Sequence, residues 1–181
     1  QLLGMHVTGK TIGIIGMGRI GKAIAKRAGL GFDMDVVFFN RSKVADFGVP
    51  ARQVETLEEV CALADVVVLA VPATPETHHL VNAELLAKMQ PHSVLVNIAR
   101  GDVIDEAALI AALRKGQIAG AGLDVYEREP VVPDALKAFE NVTLFPHLGT
   151  AALEVRVDMG LMAVANLNAW ITGETPPNIL G

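Results

Sequence analysis

The sequence predicts an α/β fold built as a doubly wound parallel sheet, and three observations carry that prediction. Short β-branched runs that are apolar on both faces recur along the chain, as in "TIGII", "DVVVLAV" and "SVLVNIA". Helical stretches with one apolar face separate them, and strands alternating with helices in this way belong to a parallel sheet covered on both sides. A glycine-rich turn, "GMGRIG", sits directly between the first run and the first helix.

Taken in order, "TIGIIG" (11–16) reads as the first strand, and "RIGKAIAKRAGL" as a helix whose face is made by Ile20, Ala23, Ile24 and Ala28. "VVFFN" (36–40) is the second strand, and "VETLEEVCALA" (54–64) a helix that starts near Glu55 or Thr56. "DVVVLAVP" (65–72) is the third strand, "NAELLAKM" (82–89) a helix and "SVLVNIA" (93–99) the fourth strand. Asp105 caps "EAALIAALRKG", and Gly116 ends that helix. "IAGAGLDVY" (118–126) and "VTLF" (142–145) complete the strands, and "EVRVDMGLMAVANLNAWITGE" forms a last helix. No repeat, low-complexity tract or linker interrupts the alternation.

Composition narrows the function classes. With 181 residues, of which 51% are apolar and 4% aromatic, the chain can bury one sizeable core. Fifteen Lys and Arg against 20 Asp and Glu give a net charge of -5, and the basic residues are scattered. This argues against nucleic acid or a membrane surface as partner. The single cysteine, Cys61, leaves no disulfide framework and suits a reducing compartment. The longest charge-free apolar run, "VVVLAVPA", is far below the roughly 18 to 20 residues that span a bilayer, and no signal peptide is legible. A soluble, cytoplasmic protein is expected. The chain opens at Gln1 without methionine, as a piece of something longer would.

In doubly wound sheets, ligands bind beyond the carboxyl ends of the strands, and three polar clusters fall there. The first is Gly16, Gly18 and Gly21 in "GMGRIG", a G-x-G-x-x-G turn of the Rossmann-like kind. Its glycines allow a tight turn and close approach of a pyrophosphate, and the helix start offers free N–H groups. A merely tight turn is the bland alternative. The second is "FFNRSK", where Asn40 stands in place of the carboxylate that usually holds an NAD ribose. Arg41 can bind a 2′-phosphate there, with Asn40 and Ser42 as further donors, so NADP is expected over NAD. The third is "NIARGDVIDE", in which Arg100 ends an apolar strand, and a buried guanidinium needs an anion. Downstream lie Asp124, Glu127 and Glu129 in "LDVYEREP" and His147 in "FPHLGT". Alone, His147 reads as a loop residue; beside an arginine and an acid on neighbouring strand ends, it reads as an acid–base group.

With these motifs in place, the chain resembles the coenzyme-binding domain of the D-isomer-specific 2-hydroxyacid dehydrogenases. The resemblance runs from "GKTIGIIGMGRIG" through "ADVVVLAVPATPETHHLVN", "VLVNIARGDVIDE" and "GAGLDVYEREP" to "FPHLGTAA", and is nearest to the glyoxylate/hydroxypyruvate reductase type because of "NRS". It implies a substrate-holding Arg100, a carboxylate partner Glu129, an acid–base His147, and Asp124 at the nicotinamide carboxamide. The expected cofactor set further includes Arg19 and Ile20 in the glycine turn, Val71, Pro72 and Thr77 after the third strand, Ile98 and Ala99 after the fourth, and Gly149. Two departures stand out: Ala70 where many members have histidine, and His92 where a turn glycine is usual, at a cost in strain if that turn needs positive φ.

The resemblance implies reduction of a 2-keto acid to a D-2-hydroxy acid by NADPH, with NAD possible. It also implies a two-domain enzyme whose substrate domain is largely missing here. Residues 1–150 then form the dinucleotide-binding domain, and 151–181 the returning helix and tail of the second. The apolar stripe of that helix, with Val155, Leu161, Met162, Val164, Leu167 and Trp170, is exposed or covered by a second copy in a homodimer, unless it packs on the chain's own core. The alternative function is a non-catalytic NAD(P)-sensing module; Arg100, Glu129 and His147 together argue against it. A methyltransferase is more distant still, for want of an acid at residue 40. The pair His78 and His79 suggests no metal, because adjacent histidines diverge and no carboxylate cluster joins them.

Overall fold

The computed structural model describes residues 4–179, which fall into two compact units divided between Pro146 and His147. In the first unit the chain runs β1 (Thr11–Ile15), α1 (Arg19–Gly31), β2 (Asp35–Phe39), β3 (Arg52–Gln53), α2 (Leu57–Leu63), β4 (Val66–Leu69) and α3 (Ala83–Leu86). It continues through β5 (Val94–Asn97), a 3-10 turn (Gly101–Val103), α4 (Glu106–Arg114), β6 (Gly120–Leu123), α5 (Asp134–Lys137) and β7 (Val142–Leu144). All pairings are parallel, in the order β3-β2-β1-β4-β5-β6-β7. The direction of winding reverses between β1 and β4, which makes their carboxyl ends the switch point.

The expected α/β doubly wound sheet is present. Its helix starts follow from capping chemistry: Thr56, Asn82 and Asp105 each accept an N–H three residues on, from Glu59, Leu85 and Ala108. Gly116, with φ of 61°, closes the end of α4. Two elements escape the sequence pattern. β3 is two polar residues long, and α5 is a single turn after Pro133, so neither has room for a periodicity.

Two layers of side chains fill the sheet's faces. On one, Ile14, Val36 and Phe38 meet Ala25 and Ala28 of α1; on the other, Leu69, Leu86, Leu95 and Leu109 are buried under α2, α3 and α4. Each such leucine contributes about 1.5–3 kcal/mol by leaving water. Cover is incomplete on one face, against expectation. Right-handed crossovers put α3 and α4 on the same side of β4 to β7, and on the opposite side Val94, Val96 and Gly122 are only partly buried and Thr143 is exposed. Cys61 is buried, its thiol pushed up to about 12 chiefly by burial and secondarily by Glu58, which makes it an inert packing residue.

The second unit holds α6 (Leu153–Thr172), ended by Gly173 in the left-handed region at φ 77°. Its Val155, Leu161, Met162, Val164, Leu167 and Trp170 are exposed. No helix among the described residues is long and apolar enough to cross a membrane.

The turn at His92 does not need positive φ, so the substitution for glycine carries no such strain; the described residues with positive φ other than glycine are Asp33, His79 and His147. The His92 ring donates to Asp65 at 2.8 Å, while the other Asp65 oxygen accepts the N–H of Thr11 at 2.8 Å. Burial raises the Asp65 carboxyl, but the Thr11 N–H, His92 and Lys10 outweigh it and hold the group below its ordinary value. A depressed folded value stabilises above the unfolded pKa and is lost as pH falls through the folded one. Asp65→Asn is therefore expected to lower stability at neutral pH and to flatten the acid limb of a denaturation series run from pH 6 to pH 2.

Candidate functional site

Gly16 adopts φ of 98°, and a Cβ there would meet the Ala70 carbonyl at 2.6 Å, so only glycine lets β1 turn this close to the end of β4. A Cβ on Gly21 would overlap the Gly16 carbonyl, which seats α1 directly on the turn. At Gly18 a Cβ would meet nothing within 4 Å: the second glycine of the motif faces open space where a phosphate can approach. The first-turn N–H groups at Gly18, Arg19 and Ile20 precede any helical partner. These features fit a dinucleotide pyrophosphate.

Asn40 has a role other than the phosphate donor expected of it. Its Oδ1 accepts the Met17 N–H at 3.1 Å, and its Nδ2 donates to the Ser42 carbonyl and hydroxyl at 3.0 and 3.2 Å. It is a strut between the glycine turn and the end of β2. Arg41 is exposed, and with Ser42, Gly18, Val71, Pro72 and Thr77 it lines a cavity of about 280 Å³. The Thr77 hydroxyl shapes the far wall, donating to the Pro72 carbonyl at 2.7 Å and accepting the Thr74 N–H at 2.8 Å. Glu76 lines this cavity too, its carboxyl held below the usual range first by the Thr74 hydroxyl and least by Arg41. Loop residues such as Thr74 and Glu76 carry no periodicity and are not legible beforehand.

Beyond β5, the buried Asn97 shapes the chain: its Oδ1 accepts from Ala99 N at 2.9 Å and its Nδ2 donates to the Arg100 carbonyl at 2.8 Å. Ala99 is buried, Ile98 exposed, and Arg100 is turned outward rather than buried as expected, donating to the Ala99 carbonyl at 2.7 Å. A Cβ on Gly101 would overlap the Tyr126–Glu127 peptide, so the β5 and β6 loops lie backbone against backbone. In the β6 loop, Glu129 accepts the Tyr126 N–H at 3.1 Å. Arg100 and Glu129 thus flank one stretch of backbone. Asp124 follows β6 and donates its N–H to the Asn97 carbonyl at 3.0 Å. The buried Tyr126 donates its hydroxyl to the Phe145 carbonyl at 2.8 Å, fixing the chain as it leaves β7. His147 opens the second unit two residues later, exposed and with φ of 57°, and Gly149 follows it. His78 and His79 do not diverge; their rings stack with centroids 4.0 Å apart. No group of three or more metal-ligating side chains occurs among the described residues.

Residues 1–149 match the family model described as "D-isomer specific 2-hydroxyacid dehydrogenase, NAD binding domain". The chain belongs to that family. It is 47% identical over 182 residues to a glyoxylate reductase of Pyrococcus furiosus, a match covering 98% of this chain and 53% of that protein. Among solved structures, apo D-mandelate dehydrogenase of Rhodotorula graminis superposes with a TM-score of 0.92 at 36% identity, over 98% of this chain and 52% of that one. An NADPH-dependent glyoxylate/hydroxypyruvate reductase of Sinorhizobium meliloti, in complex with NADP and malonate, gives 0.85 at 42% identity, over 90% and 50%. The chain spans about half the length of the relatives it matches.

Asn97 is the strut on which the Arg100 loop depends. Asn97→Ala orphans the buried Ala99 N–H, while the Arg100 carbonyl keeps the Val103 N–H at 3.3 Å, and is expected to cost about 1–3 kcal/mol, read as a lower urea midpoint at unchanged slope.

Proposed function

We propose that this chain is the coenzyme-binding part of an NADPH-dependent reductase that converts a small 2-keto acid, of the glyoxylate or hydroxypyruvate class, to a D-2-hydroxy acid. The observation that carries the reading is the shared carboxyl edge: a glycine turn and Arg41 at one end of it, Arg100 and Glu129 at the other. The names of the Pyrococcus and Sinorhizobium relatives support the substrate class, and the latter's NADP supports the cofactor. In this reading, residues 1–150 bind the dinucleotide and 151–181 return toward a substrate domain. A cytoplasmic homodimer goes with it.

A reduced nicotinamide dinucleotide, held at the glycine turn of Gly16, Gly18 and Gly21, would supply the hydride that the carbonyl carbon takes up. The chain's own residues do the rest. The Arg100 guanidinium grips the substrate carboxylate as a fork and orients the carbonyl. Protonated His147 gives its proton to the carbonyl oxygen as negative charge develops there, so no free alkoxide forms. Glu129 is the carboxylate that fixes the tautomer of that ring. Arg41 selects the cofactor by pairing with the 2′-phosphate, which a carboxylate at residue 40 would repel.

Two measurements test this. By cofactor fluorescence, NADPH is expected to bind more tightly than NADH, and Arg41→Ala to remove a difference on the order of 1.5–3 kcal/mol while NADH is held as before; equal affinities in the unmutated protein refute the NADP assignment. In the full-length protein, His147→Asn is expected to lower turnover of glyoxylate or hydroxypyruvate roughly 10² to 10⁴-fold with cofactor affinity unchanged. Normal turnover in that variant excludes His147 as the proton donor.

A further inference from the structure

Three strand-end loops converge on the candidate site, and hydrogen bonds centred on one carboxylate, Glu127, join all three. His79 lies in the loop after β4, Glu106 starts α4 after β5, and Glu127 follows β6. His79 Nε2 donates to Glu127 Oε1 at 2.9 Å, across 48 positions of sequence. The same oxygen accepts the Glu106 N–H at 3.0 Å, and Glu106 in return accepts the Glu127 N–H at 3.3 Å. This is the reciprocal logic of a capping box, spread over two loops and closed by a histidine from a third. His79 is itself held by its N–H on the Asp102 carbonyl at 2.8 Å and by the stacked ring of His78.

The arrangement works against easier alternatives. His79 takes φ of 50°, in a region that residues with a Cβ avoid. The Glu106 carboxyl is pushed above its usual range: burial raises it most and the Glu127 charge adds to that, against the Glu127 N–H and, least, Arg128. Neither partner repays this through the core, since the side chains of His79 and Glu127 are 38% and 24% exposed. Strain retained at a half-exposed polar pair points to a positioning role.

The pair also reaches the candidate site through covalent backbone. Gly101 abuts the peptide that joins Tyr126 to Glu127, and Glu129 is fastened to the N–H of Tyr126. Any shift of the Glu127 segment is passed to Arg100 on one side and to Glu129 on the other. We propose that His79 and Glu127 are positioning residues, a latch between loops that sets the placement of Arg100 relative to Glu129 and thereby governs engagement of the 2-keto acid without touching it. The kinetic part of this inference rests on the functional reading above.

Two readouts on the full-length protein decide it. In His79→Leu, amide hydrogen exchange at residues 100–104 and 126–129 is expected to quicken, while the glycine turn at 16–21 keeps its protection. The KM for glyoxylate should rise about tenfold, the size expected for one lost charge-assisted hydrogen bond, and NADPH affinity should stay within about twofold. His79→Gln, whose side-chain N–H can still reach Glu127, should restore both. Unchanged exchange in His79→Leu overturns the latch, and so does a fall in kcat at constant KM that tracks a lowered melting temperature. A wild-type protein that reduces no 2-keto acid refutes the functional reading alone, because the exchange experiment still decides the latch.

Discussion

Parallel pairing of β1 with β4, Ile12 opposite Val66 through Ile15 opposite Leu69, is the constraint on which the rest of this unit depends. It joins two halves wound in opposite directions, so the helices leave a crevice where the chain reverses. It also makes every strand end at the same edge, and therefore every loop that can carry chemistry starts there. The Ala70 carbonyl at the end of β4 leaves no room for a side chain at residue 16, and Gly16 is the residue that answers. The glycine turn is thus a consequence of sheet registry as much as of any ligand.

Loops crowded onto one edge need their backbone polar groups satisfied without strands or helices to do it. The chain solves this with a few side chains that both donate and accept. Asn40 joins the β1 turn to the end of β2, Asn97 folds the chain back after β5, and the Tyr126 hydroxyl ties the β6 loop to the end of β7. An amide suits the first two places because each has both an N–H to accept and a carbonyl to donate to within reach. A carboxylate could satisfy only one of the two. Rigid loops of this kind are a condition for placing reactive side chains with the accuracy catalysis demands.

How much of this can be read from sequence depends on whether a residue's role is local. The glycine turn, the caps at Thr56 and Asp105, and the helix stop at Gly116 all act within a few residues, and the pattern around them is sufficient. Gly101 is different. It looks like a turn glycine after an arginine, yet its necessity comes from a peptide 25 positions later in the chain, which no local pattern displays. The stacking of His78 on His79 and the bond from His79 to Glu127 are likewise long-range facts. His92 is a further case: the sequence leaves open whether its turn needs positive φ, and the turn is built without it while the imidazole serves Asp65.

Asn40 shows how one residue can serve fold and ligand choice together. An aspartate at that position could still accept the Met17 N–H, but it could not donate to Ser42, and it would leave a negative charge at the mouth of the cavity that Arg41 lines. Unit charges about 4 Å apart interact by roughly 4 kcal/mol at the effective dielectric of a protein surface, so a carboxylate there would oppose a 2′-phosphate and would compete for Arg41 as well. The neutral amide avoids both effects while keeping the turn in place. The exposed guanidinium then shares this cavity with one carboxylate, Glu76, rather than two, and the residue that holds the turn is also the one that keeps the second charge away.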